Sequence, residues 1–381
     1  MSRPYQICTK TIMDTTDPLI TFDEKGESNH VASFNKEVGV TWFPNEEGRK
    51  RLDILVEEIK KAGKGNDYDC IIGLSGGVDS SYLAYFLKTE YDLRILAVHV
   101  DAGWNSELAI HNVENIVKNL NIDLYTYVVN WKEMQDLQLA YLKANVINQD
   151  IPQDHVFMAS LYNTAKTHKI KYFLAGHNHA TEGILPDSWF YRSADLKNLK
   201  DIHKKFGKIP LKTYPTTGFW KDFIYFPFIY GLKIKRPLNY IPYDKDHAKS
   251  VIKEKLNWRD YGSKHGESNF TKFYQNYYLP TKFNVDKRKA HLSSMIMSGL
   301  ISREAALEEI KKPLYHDDIQ LANDLEYIAR KLNISTDEFN AIIAQPNKRH
   351  QDYANEEFLY VTLRDFLKKA GGLNLIKKLL R

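Results

Sequence analysis

From Asp69 to Ser81 the chain reads Asp-Cys-Ile-Ile-Gly-Leu-Ser-Gly-Gly-Val-Asp-Ser-Ser, an order of residue types suited to holding an anion. Gly76 and Gly77 let the backbone turn sharply and approach another group with no Cβ in the way. The helix pattern behind them offers free N–H groups and a partial positive charge, stabilising an anion by about 0.3–2 kcal/mol per charge. Ser75 and Ser80 add hydroxyl donors and Asp79 a carboxylate. No lysine follows the glycines, which excludes the Gly-Lys-Ser/Thr loop of kinases and GTPases. A chance glycine turn is the plain alternative. Strand, loop, acid and helix, all in order, argue against it.

Such a loop needs a strand and a helix to hold it. Cys70, Ile71, Ile72 and Leu74 form the short apolar run of a buried parallel strand, and Leu83, Ala84, Phe86 and Leu87 give the helix its inner face. The alternation continues with strands at 94–100, 124–129 and 171–175 and helices near 107–120, 132–146 and 155–167. This pattern predicts an α/β fold, a doubly wound parallel sheet with ligands at the carboxyl ends of its strands. Residues 1–45 read as a small β-rich module with a strand at Leu19–Phe22, residues 46–257 as the sheet domain, and residues 258–381 as a largely helical region. A stretch with Lys197, Lys200, Lys204, Lys205, Lys208 and Lys212 reads as irregular, and the apolar run Phe223–Leu232 as buried core.

The chain has 381 residues, a net charge of +5, 43% hydrophobic and 27% charged residues. That is ample for two domains and ordinary for a globular protein, and the mild basicity favours a phosphorylated ligand without demanding nucleic acid. Two cysteines, Cys8 and Cys70, exclude a disulfide framework. With no signal-peptide pattern and no apolar run long enough to span a bilayer, the expectation is a cytoplasmic protein without a transmembrane segment.

A second segment is dense in polar chemistry: Tyr261-Gly-Ser-Lys264-His265-Gly-Glu267-Ser, continuing to Asp286-Lys287-Arg288-Lys-Ala-His291. Alone it reads as a solvated basic surface. Joined to the Ser75 loop, it resembles the N-acetyl sugar amidotransferase family (WbpG type) of surface-polysaccharide and O-antigen synthesis, within the PP-loop ATP pyrophosphatase superfamily. The resemblance runs from Cys8 to about Leu307. It implies an ATP-dependent enzyme that adenylates the acetamido oxygen of a nucleotide-linked sugar, here a UDP-N-acetyl sugar. Ammonia then replaces the oxygen, giving an acetamidino group, AMP and pyrophosphate.

By that resemblance Ser75, Gly76, Gly77, Asp79 and Ser80 bind the ATP phosphates, and Val98, His99 and Asp101 offer groups to adenine. Gly176, Asn178, Thr181 and Glu182 face the same crevice, with Asp79 and Glu182 as candidate Mg²⁺ ligands. Lys264, His265 and Glu267, together with Asp79, are the implied catalytic groups. Lys287, Arg288 and His291 would take the nucleotide-sugar diphosphate, with Lys287 and His291 on one helix face. Helix capping is the structural alternative for Asn178 and Thr181, and a surface ion-pair cluster for the basic trio.

Family members commonly carry four N-terminal cysteines suited to structural zinc. Here those positions read Cys8, Thr11, Ser28 and Val31, so no zinc is expected. No sequence feature supplies a glutaminase, and the resemblance implies a separate glutaminase with a barrel-shaped ammonia-channel partner, similar to the imidazole glycerol phosphate synthase pair. Three other readings stay open: a tRNA-modifying PP-loop enzyme of the thiolation type, amidation of a sugar carboxylate, and a non-catalytic binding protein with a degenerate ATP site, against which the intact Ser75–Ser81 loop argues.

Overall fold

The computed structural model describes residues 3–262, 266–315 and 317–369. The segment before Asn45 contains one helix, α1 (Asn29–Asn35), and only isolated bridges, Ile7 with Asp14 and Phe22 with Ser28 among them. The expected strand at Leu19–Phe22 is reduced to that single bridge. Local carboxylates compete for the backbone there: Asp17 accepts from Leu19 N at 2.9 Å and Asp23 from Glu27 N at 2.8 Å.

At the centre of this segment the four altered cysteine positions come together. Cys8, Thr11, Ser28 and Val31 are all buried, and the Cys8 Sγ accepts from Thr11 N at 3.4 Å and Ser28 N at 3.2 Å. Burial pushes the thiol up, but these donors outweigh it and bring the thiol below its ordinary value. His30 is turned to Asp17, 2.8 Å away. The donor set at this knuckle is thus one thiol, two hydroxyls and a valine. Arg303 closes it by donating to the carbonyls of Cys8 (2.9 Å) and Thr11 (3.0 Å).

From residue 46 the chain builds α2 (Glu46–Gly63), β1 (Cys70–Gly73), α3 (Val78–Tyr91), β2 (Ile95–Asp101), α4 (Glu107–Leu120), β3 (Asp123–Val128), α5 (Trp131–Ala144), α6 (Ile151–Thr167), β4 (Tyr172–Leu174), α7 (His179–Glu182), α8 (Leu196–Phe206) and β5 (Lys233–Lys235). The five strands form one parallel sheet in the order β3-β2-β1-β4-β5. Its central strand is buried on both faces. Cys70, Ile72 and Leu74 pack with α2, α3 and α4, while Ile71 packs with Leu96, Val98 and Leu161 on the other side. This two-faced burial is what the uninterrupted apolar run specifies. The order places β1 and β4 side by side, so their carboxyl ends open into one crevice.

Three segments depart from the sequence reading. The lysine-rich stretch is helical: Leu199 and Ile202 are buried on one face of α8 while Asp195 caps it by accepting from Asn198 N at 3.0 Å. The apolar run near Phe223 is a π-type helical stretch, Lys221–Tyr230, in which only Phe226 is buried. Pro227 lacks the N–H that a regular turn would need, and Ile229 is left 70% exposed. Strand β5 is too short, and too flanked by lysine, to announce itself.

The remaining described residues are largely helical: α9 (Lys245–Leu256), α10 (Asn269–Phe273), α11 (Leu279–Phe283), α12 (Arg288–Met297), α13 (Arg303–Lys311), α14 (Asp318–Lys331), α15 (Thr336–Ile343) and α16 (Glu357–Lys369). Ile12 packs against Leu292 and Ala306, and Met13, Ile20 and Phe34 share one core with Phe270, Phe273 and Tyr278. Among the described residues no helix is long and apolar enough to cross a membrane.

Candidate active site

The Ser75 loop leaves β1 and enters α3 with Gly76 at φ +82° and Gly77 at the N-cap position. Gly76 is held from outside by its carbonyl, which accepts from Trp258 Nε1 at 2.7 Å and Tyr261 OH at 2.6 Å. A Cβ there would stand 2.8 Å from the Ala109 carbonyl oxygen, so only glycine fits. Ser75 Oγ lies 3.2 Å from Ser80 Oγ and accepts from Gly77 N at the same distance. Gly77 brings no side chain to cap the helix. The first-turn N–H groups of α3, which have no partner inside the helix, are therefore offered to a ligand, in the manner of a phosphate cradle.

Asp79 is the hub beside this loop. Its Oδ1 accepts from Tyr243 OH at 2.6 Å and Asn178 Nδ2 at 3.1 Å, and its Oδ2 from Lys245 Nζ at 3.0 Å. Burial pulls the Lys245 ammonium down, but Asp79, with Glu182 and Glu267 beyond it, raises it above the usual lysine value. Burial and the same carboxylate push the Tyr243 phenol well up. Lys245 therefore stays charged and a quarter exposed at the edge of the crevice, anchored to Asp79.

The expected magnesium pair fits this arrangement poorly. Both Asp79 oxygens already accept donors, one of them an ammonium, and Glu182 Oε2 lies 2.6 Å from His177 Nδ1. Three of the carboxylate's lone-pair sites on Asp79 are taken, one of them by an ammonium whose charge disfavours a second cation beside it.

Strand β4 closes the crevice from the other side. A Cβ on Gly176 would stand 3.1 Å from Asp79 C and Ser80 N, so this glycine permits the close approach. Asn178 caps α7 by accepting from Thr181 N at 2.9 Å, and it also donates to Asp79. The capping role and the site role coincide. Thr181 is buried beneath it, and its carbonyl lies 3.2 Å from His291 Nδ1.

Strand β2 contributes less than expected. Val98 is fully buried and its carbonyl accepts from Leu74 N at 2.8 Å, because β2 is paired on both sides and has no groups to spare. His99 bridges Leu74 O at 2.8 Å and Asn105 Nδ2 at 3.0 Å, and Asp101 Oδ1 accepts from Gly103 N at 2.8 Å. Both shape the β2–α4 turn.

That turn receives the second signature. Ser106 N donates to Glu267 O at 2.9 Å and Asn105 forms an antiparallel bridge with Ser268. Glu267 Oε1 comes within 3.6 Å of a Cβ position on Gly77, so its carboxylate reaches the loop. Lys264 and His265 lie outside the described residues. Of the basic trio, Arg288 spends its guanidinium on Asp286 at 2.7 Å and on the carbonyls of Lys312 and Ile310. It serves as a structural clamp, since an aspartate two residues before it reaches first. Lys287 sits 5.7 Å over the Tyr274 ring and near Asp154 of α6. Sequence reasoning missed Lys245, Tyr243 and Asp154. The first two follow β5, whose shortness hid that they return to the crevice, and Asp154 carries no motif.

Comparisons with known proteins match two segments of the chain. Residues 267–367 match the model of the LPS biosynthesis protein WbpG-like C-terminal domain, and residues 48–209 match that of NAD synthase. The tRNA-specific 2-thiouridylase MnmA 1 of Aliarcobacter butzleri is 28% identical over 38% of this chain and 45% of its own length. The tRNA(Ile)-lysidine synthase of Chlamydia pneumoniae is 30% identical over 35% of this chain and 40% of its own. The chain spans less than half the length of these curated relatives. Among solved structures, the NH3-dependent NAD synthetase of Campylobacter jejuni covers 42% of this chain and 71% of its own at 16% identity and a TM-score of 0.28. The U34-tRNA thiolase NcsA of Methanococcus maripaludis covers 72% of this chain and 85% of its own at 16% identity and a TM-score of 0.34. With the Ser75 loop inside the segment matched to NAD synthase and Glu267 at the first residue of the other, the chain is similar to NAD synthase in its sheet region and to the WbpG-like C-terminal domain beyond it.

Proposed function

We propose that this chain is an ATP-dependent amidotransferase that converts the acetamido group of a nucleotide-linked N-acetyl sugar into an acetamidino group for surface-polysaccharide synthesis. The observation that carries the reading is the meeting of Glu267, from the WbpG-like segment, with the uncapped loop at Gly77. An amide carbonyl is a poor electrophile and its oxygen a poor leaving group. Attack of the acetamido oxygen on the α-phosphorus forms an O–P bond and releases pyrophosphate into the amides of residues 75–80. Ammonia then adds to the activated carbon, its proton passes to a base such as Glu267, and AMP departs with the oxygen. Lys245, held by Asp79, is the fixed positive charge for the phosphates. Magnesium would enter on the nucleotide's own phosphate oxygens. Ammonia would come from a separate glutaminase through a channel-forming partner.

The test is incubation with ATP, Mg²⁺, ammonium and candidate UDP-N-acetyl sugars, read by mass spectrometry and by nucleotide analysis. The expected outcome is a product in which NH replaces O, with AMP and pyrophosphate in equal amounts. ADP and orthophosphate would overturn the reading, and robust glutamine use by the isolated chain would remove the need for a partner. A tRNA-modifying role is the second reading, favoured by the two tRNA-acting relatives and by the outward lysines of α8. Against thiolation, Cys70 is fully buried with its thiol pushed far up, and Cys8 is enclosed in its knuckle. Salt-dependent tRNA binding in a gel shift would favour this second reading.

A further inference from the structure

The π-type stretch Lys221–Tyr230 turns two unlike rows of side chains in opposite directions. Its inner row faces α6. Phe226 stacks on Tyr162 at 4.4 Å, and Tyr230 OH donates toward the carbonyls of Ala165 (2.8 Å) and Ile170 (3.0 Å). The outer row begins one residue before the stretch. Trp220 is 71% exposed, Phe228 45% and Ile229 70%, with Ile224 half-buried between them. Positions 220, 224 and 228–229 recur once per turn of a helix that closes i→i+5 bonds, so they share one side. Scattered exposed apolar residues are ordinary, but three large ones in a single row, left uncovered by the described residues, mark a contact surface.

The rim of that row is basic. Lys166 of α6 stands 5.0 Å over the Tyr225 ring, Lys171 3.7 Å over Tyr230, and Arg192 5.5 Å over Phe223. Lys221 belongs to the stretch itself. Lys166, Arg192 and Lys221 are exposed, and none of the four cations forms a salt bridge among the described residues. Lys171 donates to Tyr230 O at 2.6 Å and Lys221 to Thr216 O at 3.1 Å. An ammonium has three donors, so each keeps others for an outside acceptor. The acids that interact with the stretch are Asp222 and Glu356, both half-buried. Asp222 accepts from Thr217 and Glu356 from the Phe219 backbone, and desolvation raises both carboxyls above their ordinary values. The charge this flank presents is therefore positive.

A row of Trp, Phe and Ile inside a lysine-rich rim complements an anionic lipid surface, where indole rings settle at the headgroup level and cations meet phosphates. A protein interface fits less well, since such interfaces are depleted in lysine and three of the four cations are lysines. We propose that this flank is a peripheral docking surface for an anionic membrane. Trp220, Phe228 and Ile229 enter the headgroup region, and Lys166, Lys171, Arg192 and Lys221 meet lipid phosphates. The stretch has 10 residues with Pro227 inside it, too short to cross a bilayer, so it lies in the plane of the interface.

The placement suits such a contact. The stretch runs alongside α6, from Thr217, whose N donates to His155 Nε2 at 3.2 Å near the start of that helix, to Tyr230 at its end. It covers a face of the sheet rather than the carboxyl ends of the strands, so docking leaves the crevice at Ser75 open. The inference goes beyond the proposed reaction and holds whatever chemistry the crevice carries.

The test is co-sedimentation of the full chain with phosphatidylcholine vesicles containing about one-third phosphatidylglycerol, and with phosphatidylcholine alone. Binding is expected on the anionic vesicles, weakening as salt is raised, together with a blue shift of tryptophan emission. The double variant Trp220→Ser, Ile229→Ser should bind about tenfold more weakly. Lys166→Ala with Lys221→Ala should also lose about tenfold. These positions are exposed, so the thermal midpoint should stay at the wild-type value in both. Trp220→Phe separates contact from fold: it should keep the binding and lose the emission shift. Absence of binding, equal binding to the neutral vesicles, or wild-type affinity in the Trp220, Ile229 double variant would each overturn the proposal. A dimer in sedimentation equilibrium that this double variant abolishes would give the face to a second copy of the chain instead.

Discussion

The knuckle at Cys8 and the loop at Ser75 use the same device, main-chain N–H groups gathered in a tight turn, and they finish it in opposite ways. At Cys8 the amides of Thr11 and Ser28 are already spent on the chain's own thiol, and Arg303 takes up the carbonyls behind them. At Ser75 the first-turn amides of α3 meet no side-chain cap, and the carbonyl behind them is held by Trp258 and Tyr261. One turn is closed and structural. The other is braced from outside and left open at the front. Openness of this kind is maintained only when surrounding groups fix the backbone, since a free loop would satisfy its own donors.

That contrast can be broken most severely at Gly76. Gly76→Ala places a Cβ 2.8 Å from Ala109 O at a φ of +82°, storing about 1–3 kcal/mol of strain. Pyrophosphate release is expected to fall by about a hundredfold as the amides lose their alignment, with the thermal midpoint only slightly lowered. Unchanged turnover would mean that the loop does not hold phosphate. Next is Lys245→Met, which leaves Asp79 with two neutral donors. The pair is partly open to solvent, so the stability loss should be about 1–2 kcal/mol, below the value for a fully buried pair. ATP affinity should drop with it, a coupling that a purely structural ion pair would not give. At the closed turn, Arg303→Ala should cost about 1–2 kcal/mol in denaturant unfolding, while turnover per folded molecule and ATP affinity stay as in wild type.

The same contrast explains what the sequence disclosed. The Ser75 loop is contiguous: strand, glycines, acid and helix are adjacent, and backbone geometry follows from residue type at each step. So the loop, the central strands and Gly176 were legible. Lys245 and Tyr243 reach Asp79 only because β5 adds beside β4, and a three-residue strand reading Lys-Ile-Lys carries no periodicity. The α8 lysines masked Leu199 and Ile202, which a single helix turn brings to one face. Val98 followed its position near a strand end, yet pairing on both sides of β2 left it nothing to offer. Arg288 followed its charge and neglected Asp286, two residues away.

A finer comparison lies between Asp79, ringed by donors, and Asp154, whose side chain is exposed to solvent. Asp154 sits in the first turn of α6, next to Gln153, whose Oε1 accepts from Ser268 Oγ at 3.3 Å beside Glu267. Desolvation by the chain around it and the Asp150 carboxylate push its carboxyl up to about 7, against the pull of Lys287, but the residue is exposed and solvent screens the effect. In the unfolded chain an aspartate titrates near about 3.9, so the fold favours the protonated form. The stabilisation is therefore complete below about pH 4 and is lost as the pH rises through about 7. Asp222, half-buried and accepting from Thr217, is pushed up to about 7 by desolvation as well and contributes with the same sign. The wild-type thermal midpoint should then fall across this window by the sum of the two. Asp222→Asn should remove most of the slope and Asp154→Asn, at an exposed position, the smaller part. Asp154→Asn alone should also flatten the neutral limb of the pH–rate profile, because Asp154 adjoins Gln153, which meets Ser268 beside Glu267. A slope that survives both substitutions would place the titration elsewhere, and a rate profile that follows Asp222 would detach Asp154 from the chemistry.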